Sequence, residues 1–104
     1  MPAVARKDQR DKVFSPHGSG YRCRAPTTQA TQAGSSRVFS DGIGVVRRGD
    51  AMKEHPAPGC SPHAPTLDIG STRVFVEGRG IGRIGDTYGG EHPITSGSAR
   101  VFAG

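Results

Sequence analysis

Tryptophan is absent from this chain, cysteine occurs only twice, and apolar residues fill just 33% of its 104 positions. Such a composition supplies a conventional core thinly, and small domains of this kind lean on metals, disulfides or assembly. No run of eighteen apolar residues occurs, so a membrane-spanning helix is excluded. The opening residues, MPAVARKDQRDK, are too polar for the apolar centre of a secretion signal. Synthesis in a cytoplasm is therefore expected, and a disulfide between Cys23 and Cys60 is not. No four basic residues are consecutive; the net charge of +5 is scattered singly among glycines and reads as a solvated basic surface. Helical periodicity over ten or more residues is also missing.

Glycine and proline take the place of what is missing, at 16 and 8 residues. Disordered chains are also rich in these residues, but they have no need to repeat them at fixed spacing. Residues 34–50 read GSSRVFSDGIGVVRRGD and residues 70–86 read GSTRVFVEGRGIGRIGD, with ten of seventeen positions identical at an offset of thirty-six. The chain ends on a first half-block, GSARVFAG (97–104), and begins with a second half, PAVARKD (2–8). One repeat cannot bury its apolar face alone. Joining the terminal halves gives three units closed in a ring, with Arg100-Val101-Phe102 pairing with Ala3-Val4-Ala5 so that no edge strand is left open.

Each block carries the signals of a β-hairpin. Arg37-Val38-Phe39 and Arg73-Val74-Phe75 are short β-prone runs, followed by the turn residues Asp41-Gly42 and Glu77-Gly78. The chain returns over 43–48 and 81–84 to Gly49-Asp50 and Gly85-Asp86, where the aspartates read as Asx-turn residues rather than as a catalytic acid pair. The expectation is an all-β fold: one small domain over 1–104, a cone of three pseudo-threefold hairpin repeats without substantial helix. Between blocks lie loops of 25, 19 and 10 residues, counted from Asp8, Asp50 and Asp86. They hold all four histidines, both cysteines and seven of the eight prolines, so any chemistry belongs to them.

The histidines are distributed one, two and one over the three loops: His17, then His55 and His63, then His92. That is the distribution a tetrahedral site on a pseudo-threefold axis requires. Neutral imidazole suits zinc or iron, and zinc is the first choice. Cys60, between His55 and His63, is an alternate ligand in place of one histidine, and Cys23 is expected to be a free or buried thiol. A structural ion contributes on the order of 10 kcal/mol in small domains, enough to fix loops that bury little. Glu54 and Glu91 each precede a histidine, the only arrangement in the chain that offers a metal-assisted hydrolase a base. No nucleophile triad, phosphate loop or dinucleotide fingerprint accompanies it, so the chain is not expected to be an enzyme.

Repeated GS-x-x-VF-x-x-G units returning to R-x-GD, with PAVAR at the start, resemble the PAAR-repeat family over essentially the whole chain. The resemblance implies a metal-stabilised spike tip of a contractile injection machine, either a phage tail or a type VI secretion system. It further implies a broad base seated on a trimeric β-helical spike, one monomer per homotrimer, with contact to a target-cell envelope during piercing. The point of the cone would be tied by a metal ion, typically through three histidines and one cysteine. By motif those ligands are His17, His55, His63 and His92; the third loop has Gly-Gly-Glu91-His92 where family members often show Cys-Gly. The chain stops at Gly104 without an appended toxin, which favours a phage tip: a virion component assembled in the bacterial cytoplasm and delivered to the envelope or periplasm. The rival reading is a small basic metal-binding module that grips nucleic acid, for which aromatic side chains on a basic face are the expected signature. Phe39, Phe75 and Phe102 share one repeat position instead, which reads as core or base packing.

Overall fold

A hairpin of four to six residues cannot stand alone in water, and the chain meets this by closing three of them on one another. The computed structural model describes residues 1–104 and is all-β apart from a single 3-10 turn at Tyr21–Cys23. In chain order the strands are β1 (Lys12–Ser19), β2 (Ala25–Ala30), β3 (Phe39–Ser40), β4 (Ile43–Gly44), β5 (His55–Pro56), β6 (Pro62–His63), β7 (Phe75–Val76), β8 (Arg79–Gly80), β9 (Thr87–Tyr88) and β10 (His92–Pro93). They pair as five antiparallel hairpins: β1 with β2, β3 with β4, β5 with β6, β7 with β8, and β9 with β10.

Three backbone hydrogen bonds form a closed triangle at the centre. The Ala5 N–H donates to the Gly82 carbonyl at 2.9 Å, Gly82 to Val46 at 2.8 Å, and Val46 to Ala5 at 3.0 Å. Further out the same threefold pattern recurs, with Lys7 donating to Gly44, Arg48 to Gly80 and Ile84 to Ala3. The third unit is built from both chain ends as expected: Ala3 pairs with Phe102, and Val4 N–H donates to the Val101 carbonyl at 2.9 Å. The repeated serine has a structural task. The buried Oγ of Ser35, Ser71 and Ser98 accepts from the N–H groups two and three residues ahead, which sets the entry to each strand. The turns that follow hold both central residues at positive φ, 57° and 79° at Asp41-Gly42 and 55° and 80° at Glu77-Gly78. These are the mirror-image turns that match strand twist.

Asp50 and Asp86 act as turn residues. Each accepts the backbone N–H of the arginine three residues before it, Arg47 or Arg83, at 2.9 Å, and also pairs with that arginine's guanidinium. The first unit corrects the sequence reading, because Asp11 and not Asp8 takes this role. Arg6 N–H donates to Asp11 Oδ2 at 2.7 Å, and the Arg6 guanidinium joins the same carboxylate. The other units reverse at one glycine, Gly49 or Gly85, each at φ 93°; here Asp8 and Gln9 share the reversal at φ 57° and 60°. Two extra residues do the work of the missing glycine.

Below and above this ring the apolar residues stack. Val4, Val45 and Ile81 cluster with Val76 and Ala103 on the hairpin side; Ala5, Val46, Val13, Met52, Leu67, Tyr88 and Ile94 fill the column leading to the loops. The molecule is elongated, with extents of 39 × 24 × 21 Å. The first loop is itself largely strand. In β1 the inward positions are Val13, Ser15 and His17, an alternation masked in the sequence by a polar inward serine and by Pro16.

Candidate metal centre

Each histidine is delivered by a β element that leaves the central column. His17 occupies an inward position of β1; His55 and His63 are direct cross-strand partners in the β5–β6 hairpin; His92 opens β10 opposite Tyr88 on β9. The eight-residue spacing of His55 and His63 is therefore a hairpin register, with the prolines and Gly59 in and around the turn between them. His17, His55 and His92 are buried and His63 is half-buried. One nitrogen from each ring falls in a group whose members all lie within 4.8 Å of one another, close enough to bind a metal ion. All four sequence candidates are brought together.

The hydrogen bonds around the rings show which nitrogens are free. His55 Nδ1–H donates to the Lys53 carbonyl at 2.9 Å, and His92 Nδ1–H donates to the Tyr88 carbonyl at 3.0 Å. A carbonyl only accepts, so each neutral ring carries its proton on Nδ1 and presents a bare lone pair at Nε2. Those two Nε2 atoms face each other at 3.2 Å, and His63 Nε2 lies 2.8 Å from His55 Nε2. The bare nitrogens of His55 and His92 repel at their distance unless a cation lies between them. An ion bound tetrahedrally at about 2.0–2.1 Å would set its ligand nitrogens roughly 3.4 Å apart. Burial, followed by neighbouring imidazoles, holds His63 and His92 below the ordinary imidazole pKa, which keeps them in the neutral, ligating form.

His17 is oriented differently. Its Nε2–H donates to Glu91 Oε1 at 3.2 Å, while its Nδ1 is buried with no partner. A buried orphan nitrogen is rare; with the proton held on Nε2 by a carboxylate, Nδ1 is the atom left to bind an ion. The candidate donors are thus His55 Nε2, His92 Nε2 and His17 Nδ1, joined by a nitrogen of His63, with three rings held by outer partners in the manner of metal-ligating imidazoles. Glu91 orients His17, and Glu54 is exposed with no hydrogen bond to any of the four rings. Substitution Glu91→Ala is expected to lower metal affinity about 10–100-fold, whereas Glu91→Gln, whose amide oxygen still accepts from Nε2–H, should retain most of it. Competition against a chromophoric chelator measures both, and equal affinity in all three proteins would count against the orientation.

The cysteines correct the sequence reading. Cys23, in the turn after β1, is disulfide-bonded to Cys60, between β5 and β6, with Cα atoms 5.3 Å apart. Cys60 is therefore not an alternate ligand and Cys23 is not a free thiol. The bond was unreadable because 37 positions separate the two residues and only the approach of the β1–β2 and β5–β6 hairpins joins them. Closing a loop of that length stabilises a fold by about 2–4 kcal/mol. A Cys23→Ser/Cys60→Ser variant is expected to unfold at lower denaturant by that amount while keeping its full metal content. Loss of the ion in that variant would show that the staple, and not the imidazoles alone, builds the site.

No family model and no curated protein matches the chain.

Proposed function

We propose that this protein is the tip of a piercing spike, of the PAAR-repeat kind, carried by a contractile injection machine and most simply by a phage tail. The observation that carries the reading is the exposed end of the closed ring. Phe39, Phe75 and Phe102 are 57%, 58% and 48% exposed, and Val38, Val74 and Val101 beside them are also exposed. These six residues repeat by the threefold of the ring, so they are not core; they form an apolar face with three-way symmetry. Contiguous exposed apolar surface marks an interaction site, and a threefold face suits the end of a homotrimer. One chain with unequal loops thereby caps three identical chains of a β-helical spike.

The loop end supplies the point. Four imidazoles around one ion, zinc by preference and iron as the alternative, bind the three loops together where little apolar surface is buried. The work is mechanical, concentrating force on a target-cell envelope, and no reaction is assigned to the site. The phenylalanines lie beside Arg37, Arg73 and Arg100, a pairing that also suits stacked bases, but their threefold disposition does not follow a linear strand. Native mass spectrometry with a trimeric β-helical spike end is the test. The expected product is one tip per three spike chains. Absence of that complex, together with salt-dependent binding to an oligonucleotide, would replace this reading with the nucleic-acid one.

A further inference from the structure

The three units are alike in backbone but unlike in one position of the exposed end. A surface cleft of about 360 Å³, the single cavity of the molecule, opens against the second unit between Arg48 and Arg79, with Thr72, Phe75 and the backbone of Gly70 and Gly78 as its walls. Neither pseudo-equivalent place brings two arginines together. In the first unit Lys7 stands where Arg48 stands, and its stem lies across the glycines: a Cβ on Gly34 would be 2.7 Å from Lys7 Cβ, and one on Gly44 would be 2.8 Å from Lys7 Cε. In the third unit Ile84 occupies the position of Arg48, while Pro2 and Ala3 replace Arg79 and Gly80. Around Gly70 and Gly80 the nearest atoms are backbone alone, so the cleft stays open.

The open cleft is positively charged. The Arg48 side chain is exposed and makes no hydrogen bond or ion pair. Arg79 gives one N–H to Asp50 at 3.2 Å, but that carboxylate is already shared with Arg47, which leaves the remaining Arg79 donors unspent. Two guanidinium forks beside an aromatic wall match a carboxylate on an aliphatic stem, the fork giving paired hydrogen bonds and the ring covering the stem.

We propose that this cleft is a carboxylate site that receives an acidic side chain from one chain of the trimeric partner. Resting on the spike-tip reading, it resolves a difficulty that reading creates. A pseudo-threefold cap on a homotrimer has three equivalent seatings, and a charged pocket present in one unit gives that unit a contact the other two lack.

The test needs no spike. Hexaglutamate is titrated into ¹⁵N-labelled protein at low salt, with hexaglutamine and a duplex DNA oligonucleotide as comparison probes. Saturable shifts are expected at the Thr72, Gly78 and Gly80 amides and at Arg48 Nε with hexaglutamate only. Arg48→Ile, which installs the residue of the third unit, should weaken binding at least about 10-fold, and Arg37→Gln should leave it unchanged. Shifts spread evenly over the three units, no saturable shift, an unaffected Arg48→Ile variant, or tighter binding of DNA through Arg37, Arg73 and Arg100 would each overturn the proposal. Failure here with intact capping of a trimer removes only the carboxylate site; failure of capping removes the spike-tip reading.

Discussion

Replacing His55 or His92 by alanine is expected to abolish metal binding, taking elemental content from about one ion per chain to background. Each ring is buried, each is held by a backbone carbonyl, and each contributes a bare Nε2 to the same point. Removing one leaves the protein shell a ligand short. A structural zinc supplies on the order of 10 kcal/mol, comparable to the whole stability of a small domain at about 5–15 kcal/mol, so the loop end is expected to become markedly less stable with the loss. Chelation of the unaltered protein should do the same. Full metal content in both variants would exclude the site.

The metal-free protein carries a pH signature of known sign. Burial and neighbouring imidazoles hold His63 and His92 below their ordinary value in the folded state. Unfolding restores them to about 6.5, so the unfolded chain binds more protons in that region. Stability of the metal-free fold is then greatest above about pH 6.5 and falls as the pH drops below it. Urea midpoints of chelated protein measured on either side of that value check the direction; a midpoint that rises on acidification would contradict it.

Phe39→Ser/Phe75→Ser/Phe102→Ser is expected to leave the isolated domain folded and to remove its binding to a trimeric spike. The three rings are roughly half exposed or more, so their loss alters little that the monomer buries. Surface changes of this sort shift stability by about 0.5 kcal/mol each or less. In the complex each ring would pass from half-wet to buried, worth about 1.5 kcal/mol or more apiece, and three such losses weaken binding roughly 1,000-fold or more. Thermal unfolding and titration on an immobilised spike end separate the two effects. Normal binding by the triple variant would show that the threefold face is not the docking surface. A collapsed monomer would show that the rings serve the fold.

Much of this was legible in the chain because repetition is a local signal. The double block located the hairpins, since Asp-Gly and Glu-Gly after a β-prone run admit few conformations. The split half-blocks required the termini to meet, since an unpaired strand at 100–102 has no other partner in the ring. The distribution of His17, His55, His63 and His92 over three loops pointed to the histidine cluster, because threefold closure carries equivalent loops to one axis.

Tertiary structure alone decided the rest. Whether Cys23 and Cys60 are ligands, thiols or partners depends on how closely two unlike hairpins approach, and their spacing along the chain does not contain that distance. The use of Asp11 instead of Asp8 depends on where the Arg6 N–H points after a reversal without glycine. The availability of His17 Nδ1 follows from Glu91, seventy-four residues away, reaching its other nitrogen. The arginine-lined cleft at Arg48 is not repeated, because Lys7 and Ile84 stand at the equivalent positions. A repeated sequence determines what the units share; their differences acquire meaning only when closure brings distant, unrepeated side chains into contact.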